Sequence, residues 1–275
     1  MIRKTITALF VIFAVCTRLY AAESFVSFTP QADVLSLKGA TIGYSEQEYE
    51  GVIITIQHLR EDMQHVLGTA PLLQDGAEKA TILIGTLGKN KHIDRLKLPD
   101  LKGKREKFII TTIGKQLVIA GSDRRGTIYG IYELSRQLGV SPWYWWADAP
   151  VARHDDAYII KGTYTDGEPA VEFRGIFLND EAPCLTTWVK NTFGTGYGGH
   201  AFYEKVFELI LRLKGNMMWP AMWNWAFYAD DPENGRLADR MGIIMGTSHH
   251  EPMARNHQEY ARHRREWGAW NYQTN

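Results

Sequence analysis

Apolar side chains recur every three or four residues between Tyr49 and Leu67, which is the spacing of one buried face of an α-helix. The members of this face are Tyr49, Val52, Ile53, Ile56, Leu59, Met63, Val66 and Leu67. The pattern predicts one long amphipathic helix. Gly68 follows directly and is predicted to end it, because glycine readily adopts the left-handed conformation that closes many helices.

Short apolar runs further along the chain predict strands. They are Thr81 to Ile84, Lys107 to Thr112 and Gln116 to Ala120. The last two flank Gly114 and Lys115 and are predicted to form a hairpin. Helical spacing returns over Thr127 to Leu138 and ends at Gly139. Residues 23–162 are therefore predicted to form a small α/β domain with a mixed sheet and two main helices.

Glycine, proline and aspartate cluster over Lys161 to Pro169, which predicts a linker. Beyond it, strands and helices alternate, as in parallel sheets with crossover helices. The predicted strands are Val171 to Leu178, Met217 to Met222 and Ile243 to Gly246, and the predicted helices are Phe202 to Lys214, Asn234 to Met241 and Asn256 to Trp267.

This alternation corresponds to about three βα units, whereas a closed (β/α)8 barrel has eight. The predicted fold class is therefore α/β, with the small mixed-sheet domain followed over residues 163–275 by the start of a (β/α)8 barrel. The barrel is predicted to be truncated, and its remaining units are expected beyond Asn275.

The amino terminus has the organisation of a signal peptide. Arg3 and Lys4 precede an apolar run from Ile6 to Cys16, and two alanines end the segment. The run is too short to cross a bilayer. Residues 1–22 are predicted to be removed on export, which gives a secreted or periplasmic protein without a membrane span. Lipidation at Cys16 is the alternative, although the residues before it are a poor match to such processing sites.

Composition excludes some functions and leaves others open. The 31 basic and 31 acidic residues balance, so we expect no net positive electrostatic field that would attract nucleic acid or an anionic membrane. Once the leader is removed, Cys184 is the remaining cysteine, and no internal disulfide can form. Aromatic residues are abundant, with 9 Trp and 13 Tyr. Their flat faces suit sugar rings, but packing in a core explains them equally well.

Candidate chemistry gathers where the predicted parallel strands end, because loops at the carboxyl ends converge on one mouth. Asn179, Asp180 and Glu181 follow the first strand, Trp223 follows the second, and His249, His250 and Glu251 follow the third. A single aspartate after a strand is usually a turn or capping residue. Three polar or aromatic ends in succession favour a binding site.

Zinc binding is an alternative for the His-His-Glu run, since imidazoles and carboxylates are common zinc ligands. Neighbouring side chains in an extended segment face opposite ways, so His249 and His250 need a sharp turn to reach one ion. The helical His-Glu-x-x-His spacing is also missing. No metal is predicted, and a hydrogen bond from one histidine to a polar ligand is favoured instead.

Dinucleotide binding is an alternative for Gly194 to Gly199, which matches the G-x-G-x-x-G pattern and precedes a predicted helix. The motif should follow a strand directly, but Trp188 to Asn191 intervenes in a predicted loop. An exported protein is also separated from the cytoplasmic nicotinamide pool. The glycines are therefore interpreted as a flexible βα loop at the barrel mouth.

Four segments together resemble glycoside hydrolase family 115, the xylan α-1,2-glucuronidases. The segments are Phe173 to Glu181, Leu211 to Asn216, Trp219 to Trp223 and Met245 to Met253. The leading domain is also similar to the small α/β domain that precedes the barrel in that family and in β-hexosaminidases. The chain is thus identified as an amino-terminal part of such an enzyme.

The resemblance implies removal of glucuronic acid or 4-O-methylglucuronic acid from xylan with inversion at the anomeric carbon. It implies a catalytic role for Asp180, an active-site role for Asn179, a sugar-stacking wall at Trp223 and a sugar or carboxylate contact at His249. Glu181, His250 and Glu251 are further substrate-binding candidates. The implied partner is xylan or a glucuronoxylan oligosaccharide, with no cofactor, and an oligomer of the full-length protein is compatible with it.

A second class of function stays open at this point. A non-catalytic surface glycan-binding protein would keep the aromatic wall and lose the acidic residues of later strands. Residues 23–275 alone are expected to be inactive, because their candidate carboxylates follow neighbouring strands on one side of the mouth.

Overall fold

The structure is a computed structural model that describes residues 24–77, 79–179, 182–194, 196, 198–221, 225–246 and 256–273. These residues have a mixed α/β fold. The helices are α1 (Glu50–Leu67), α2 (Lys91–Arg95), α3 (Arg124–Gln137), α4 (Cys184–Phe193), α5 (His200–Arg212), α6 (Phe227–Asp230), α7 (Glu233–Met241) and α8 (His257–Trp267). None of the helices in this described part is long and apolar enough to cross a membrane.

The first large unit is a six-stranded mixed sheet with strand order β4-β3-β5-β7-β6-β9. Its strands are β3 (Thr41–Tyr44), β4 (Leu72–Asp75), β5 (Ile82–Thr86), β6 (Phe108–Ile113), β7 (Gln116–Gly121) and β9 (Thr163–Tyr164). The predicted hairpin is confirmed, since β6 and β7 pair antiparallel with Ile113 opposite Gln116. The strands β3, β4, β5 and β7 run parallel, which makes the sheet mixed as predicted.

Helices cover both faces of this sheet. Ile82 and Ile84 point into a core shared with α1 and α3, while Leu83 between them packs on the other face against Ile93 of α2. The long helix α1 is confirmed, and it ends at Gly68, whose φ of 78° is left-handed and whose N–H donates to the Gln64 carbonyl.

A small antiparallel sheet of order β1-β8-β2 lies beside the large one. Its strands are β1 (Val26–Ser27), β2 (Val34–Ser36) and β8 (Tyr158–Ile160). The sequence pattern did not predict this sheet, because strands of two or three residues are too short to show a period. It joins the start of the described chain to the segment before the predicted linker.

The second part of the chain holds a parallel sheet of order β10-β11-β12, as the alternation predicted. Its strands are β10 (Gly175–Asn179), β11 (Met217–Ala221) and β12 (Ile244–Met245). Helix α5 connects the first strand to the second and α7 connects the second to the third. Both helices belong to the same continuous core as α1 and α3.

Two details of the prediction for this part were wrong. Strand β10 begins at Gly175 and not at Val171, and Val171 is 61% exposed. The segment expected as a loop contains the helix α4. Within this helix, all of whose residues the structure describes, Val189 is the one fully buried residue. The apolar side chains of α4 pack against a distant part of the chain, with Trp188 stacked on Trp146 at 5.6 Å between ring centroids.

A buried ion cluster connects the two parts of the chain. The guanidinium of Arg212, on α5, donates to both carboxylate oxygens of Asp62 on α1, at 2.9 and 3.1 Å, and its Nε donates to Glu208 at 2.8 Å. It also lies between the rings of Tyr132 and Tyr144, 4.6 and 4.8 Å from their centroids. All three charged side chains of this cluster are at most 3% exposed, so water contributes little to their stabilisation.

The charges around Glu208 determine its protonation. Burial opposes ionisation of this carboxyl group, but His58 in its protonated form, Arg212 and Lys205 together lower its pKa to about 2. Burial lowers the pKa of His58, whose Nδ1 lies 2.7 Å from the hydroxyl of Tyr132. Glu208 is therefore ionised, and His58 neutral, in the folded protein at neutral pH.

We predict that Arg212→Met lowers the free energy of unfolding by about 3–5 kcal/mol, because Asp62 then remains buried without its arginine and Glu208 keeps only the ion pair with Lys205 among those of the described residues. The matched control is Arg236→Met, which removes an ion pair whose arginine is 70% exposed and should cost less than about 1 kcal/mol. Urea unfolding followed by circular dichroism measures both. Equal losses for the two variants would contradict a stabilising role of the cluster.

We also predict that stability falls as the pH is lowered from about 5 towards 2. Glu208 titrates near 4.5 when unfolded and at about 2 when folded, so its contribution is present above 4.5 and is lost as the pH falls through the folded pKa. Unfolding free energies measured across this range should decrease less steeply for Glu208→Gln than for the parent protein. Parallel curves would show that another group causes the acid dependence.

Candidate functional site

The carboxyl ends of β10, β11 and β12 meet at one edge of the parallel sheet. The register aligns Asn179 with Ala221, and Met218 with both Ile176 and Met245. In parallel α/β architectures this edge is where ligands bind. The three candidate loops of the sequence follow these strand ends directly.

Asn179 is the last residue of β10 and is exposed, so it is available to a ligand at this edge. The other predicted site residues lie outside the described residues. They are Asp180, Glu181, Trp223, His249, His250 and Glu251. Their assignments stay predictions, and so does the signal peptide over residues 1–22. Among the described residues, no group of three or more His, Cys, Asp or Glu could hold a metal ion.

An aromatic pair on the same sheet face as Asn179 was missed by the sequence analysis. Phe177 and Trp219 are register partners, and their rings meet edge to face at 5.8 Å between centroids. They are 48% and 41% exposed, whereas Met218 on the opposite face is fully buried. Alternation along two parallel strands gives this pairing, but only once the register is known. The pair forms an apolar surface beneath the strand ends.

The glycine-rich segment differs from its predicted context. Gly194 ends the helix α4 and Gly199 precedes the helix α5, so the described glycines join two helices, where a dinucleotide motif follows a strand. The buried amide of Asn234, on α7, donates to the carbonyl oxygens of Gly198 and Phe227. One end of the segment is therefore anchored to α7, and Asn234 connects it to the start of α6.

A second anchor holds the start of α5. Asp231 accepts hydrogen bonds from the backbone N–H and from Nδ1 of His200, at 2.9 and 2.7 Å. Burial would raise the pKa of Asp231, but these hydrogen bonds and one from the Glu233 backbone lower it. The carboxylate stays ionised and ties α5 to the loop between β11 and α7.

At the opposite ends of the strands, one buried carboxylate from the first part of the chain binds both strands. Glu106 accepts from Arg125 at 2.5 Å, from Arg174 at 2.6 Å and from Asn216 at 2.8 Å. Arg174 directly precedes β10, and Asn216 directly precedes β11. Burial opposes ionisation, but the three donors lower the pKa of Glu106. Its backbone φ of 52° is costly for a side chain of this size, and these bonds offset that cost.

Further hydrogen bonds fix the register where the two strands begin. Asn216 Oδ1 accepts from the backbone N–H of Arg174 at 2.9 Å, and the Arg174 carbonyl accepts from the N–H groups of Asn216 and Met217. A Cβ on Gly175 would lie 2.1 Å from the Met217 carbonyl oxygen, so only glycine permits this approach. The motif residues Arg174 and Asn216 thus set the alignment that carries through to Asn179 at the other end.

Comparison with known proteins gives two family matches. Glycosyl hydrolase family 115 matches residues 166–275, and the N-terminus of glycosyl hydrolase family 67 matches residues 39–134. A search of curated proteins found no match.

Among solved structures, this chain is similar to a family GH115 4-O-methyl-α-glucuronidase, BtGH115A, with specificity for decorated arabinogalactans. The two share 34% identity with a TM-score of 0.76, over 91% of this chain and 33% of that one. The chain therefore spans about a third of the length of that relative.

Two β-hexosaminidases share the fold alone. An N-acetyl-β-hexosaminidase of Streptomyces plicatus has 13% identity and a TM-score of 0.51, over 79% of this chain and 43% of that one. A β-N-acetylhexosaminidase of Streptomyces coelicolor has 13% identity and a TM-score of 0.50, with the same coverage.

The role of Glu106 gives a prediction. Glu106→Ala leaves Arg125 and Arg174 near each other without their shared carboxylate, and should lower the unfolding free energy by about 3–5 kcal/mol. Glu172→Ala is the control, because Glu172 is 60% exposed in its ion pair with Arg105 and should cost less than about 1 kcal/mol. Urea unfolding of both variants tests this. A loss for Glu106→Ala as small as that of the control would contradict the proposed constraint.

Proposed function

Residues 166–275 place this chain in glycoside hydrolase family 115, and we propose on that basis that the protein removes glucuronic acid or 4-O-methylglucuronic acid side chains from xylan. The observation that carries the proposal is the similarity of nearly the whole chain to a 4-O-methyl-α-glucuronidase. Family membership supports a glycoside hydrolase that acts on glucuronic acid decorations. We propose xylan as the polymer that carries these decorations.

In this proposal β10, β11 and β12 are the first strands of a (β/α)8 barrel. The parallel register, and the helices α5 and α7 packed on one sheet face, support that assignment. The other face, which carries Phe177 and Trp219, then lines the barrel interior below the mouth. Both aromatic side chains are left exposed by the described residues, as interior positions of an unclosed barrel would be.

The proposed chemistry is inverting hydrolysis. One carboxylic acid protonates the glycosidic oxygen as its bond to the anomeric carbon breaks, and one carboxylate takes a proton from the water that attacks the opposite face. Such pairs stand about 6.5 to 9.5 Å apart. Asp180 is proposed as one member, because it follows Asn179 at the end of β10. Its partner has to lie across the sugar, so residues 23–275 alone are expected to release no uronic acid.

Export is a further part of the proposal. A polysaccharide substrate is outside the cell, and the order of basic, apolar and small residues over residues 1–22 fits a signal peptide. Secretion or a periplasmic location follows from it.

The test is release of free uronic acid from defined polymers by the full-length protein. Activity on glucuronoxylan, with the β-anomer as the first product seen by proton NMR, supports the proposal. Activity confined to uronic-acid-decorated arabinogalactan would overturn the assignment of xylan and keep the glucuronidase. Binding without release from either polymer would instead favour a non-catalytic glycan-binding protein.

We predict that Asp180→Asn in the full-length protein lowers kcat by about 100- to 10,000-fold, the usual contribution of a general acid or base. The matched control is Glu61→Gln, which neutralises an exposed carboxylate on α1 and should leave kcat unchanged. Steady-state assays on an aldouronic oligosaccharide measure both variants. Turnover of Asp180→Asn close to that of the parent would remove Asp180 from the mechanism.

A further inference from the structure

A cleft of about 420 Å³ lies at the edge of the small sheet, away from the strand ends described above. The loop after β1 forms one wall, and the segment leading into β8 forms the other. The cleft is beside the carboxyl end of α1, where the backbone N–H of His154 donates to the Val66 carbonyl at 2.8 Å. The amino end of α1, where Arg240 of α7 pairs with Glu50, lies about 27 Å along the helix from this end.

A flat pair of rings lines this cleft. The rings of Phe28 and His154 are stacked, with centroids 3.6 Å apart and planes 10° from parallel. Phe28 is 36% exposed and belongs to neither of the hydrophobic clusters in the described part of the chain. Core packing therefore does not explain this aromatic residue. A stacked, partly exposed ring pair is a surface on which the C–H face of a sugar can pack.

An arginine without an ionic partner lies next to the rings. Arg153 is exposed, and within the described ranges no carboxylate forms an ion pair with it. Its guanidinium lies against Gly68, where a Cβ would approach Nη2 to 2.0 Å. The end of α1 also carries a partial negative charge that favours a cation there. The guanidinium is thus positioned while its hydrogen-bond donors stay available to an anion.

Two further polar groups complete the lining. Asp155 is exposed and can accept hydrogen bonds from hydroxyl groups, and Tyr158 is half-buried. Asp156 is already used within the domain, since it accepts from Ser36 Oγ at 2.6 Å and from the Lys38 N–H at 2.9 Å. The cleft therefore offers a ring platform, one available cation and one available carboxylate.

From this combination we infer that the cleft binds a sugar that carries a carboxylate, as a glycan-binding site separate from the site of hydrolysis. The sugar ring packs on Phe28 and His154, its carboxylate accepts a bidentate pair of hydrogen bonds from Arg153, and a hydroxyl donates to Asp155. The choice of a uronic acid rests on the proposed function, in which the substrate is a polysaccharide that carries uronic acid. The ring platform and the unpaired arginine are independent of it.

The test is affinity electrophoresis of the chain from residue 23 through gels containing glucuronoxylan, compared with arabinoxylan that lacks uronic acid. Two variants remove the proposed contacts, Phe28→Ala and Arg153→Gln. The matched controls are Tyr272→Ala, a fully exposed aromatic residue, and Arg95→Gln, an exposed arginine on α2. Circular dichroism and thermal unfolding verify that all four variants fold.

The parent and both controls should be retarded by glucuronoxylan, and each cleft variant should bind at least about tenfold more weakly. Retardation by arabinoxylan should be weak, and Arg153→Gln should leave it unchanged because that polymer has no carboxylate. Equal retardation of parent and cleft variants by glucuronoxylan, or no retardation of the parent, would overturn the inference. Binding in this assay does not depend on hydrolysis, so inactivity of the full-length protein would contradict the proposed function and leave the binding result standing.

Discussion

The alignment of the first two parallel strands depends on the buried carboxylate of Glu106. Backbone hydrogen bonds alone permit a parallel pair to slide by two residues without changing which side chains face inward, because the strand repeat is two. Side chains that bind specific backbone groups prevent this. Glu106 holds Arg174 and Asn216, which are the residues directly before β10 and β11, and Asn216 in turn binds the Arg174 backbone. The residues that reach the ligand-binding edge are fixed from the far end of the sheet.

Local patterns were sufficient for much of the fold. The helix α1, the β6-β7 hairpin and the alternating strands and helices of the second part follow from spacing and turn residues, and these signals lie within about 20 residues of sequence. The helix α4 was not predicted in this way, and its side chains pack against two other segments, Trp188 against Trp145 and Trp146 and Phe193 against Phe202. Strand β10 begins at Gly175, later than predicted, because the residue before it, Arg174, is held by a hydrogen bond from its guanidinium to Glu106.

For the candidate site, too, features set by local sequence could be predicted and features set by contacts between distant segments could not. The position of Asn179 at a strand end follows from the apolar pattern before it. The pairing of Phe177 with Trp219 depends on the register between β10 and β11. A single sequence does not reveal the register between two strands that are far apart along the chain. The Arg212 cluster is harder still, since Asp62, Tyr132 and Tyr144 come from three separate segments of the first domain.

The Arg212 cluster has a consequence for exchanging modules between related enzymes. Separate family matches for residues 39–134 and 166–275 suggest two parts that could be recombined. A chimaera that joined this second part to a foreign first domain would keep Glu208 beside Arg212 but would bury that arginine without its Asp62 carboxylate and its two tyrosine partners. Compatible exchange therefore requires that Asp62, Tyr132 and Tyr144 be transplanted with the junction, and these three positions are a test of whether two such domains can be combined.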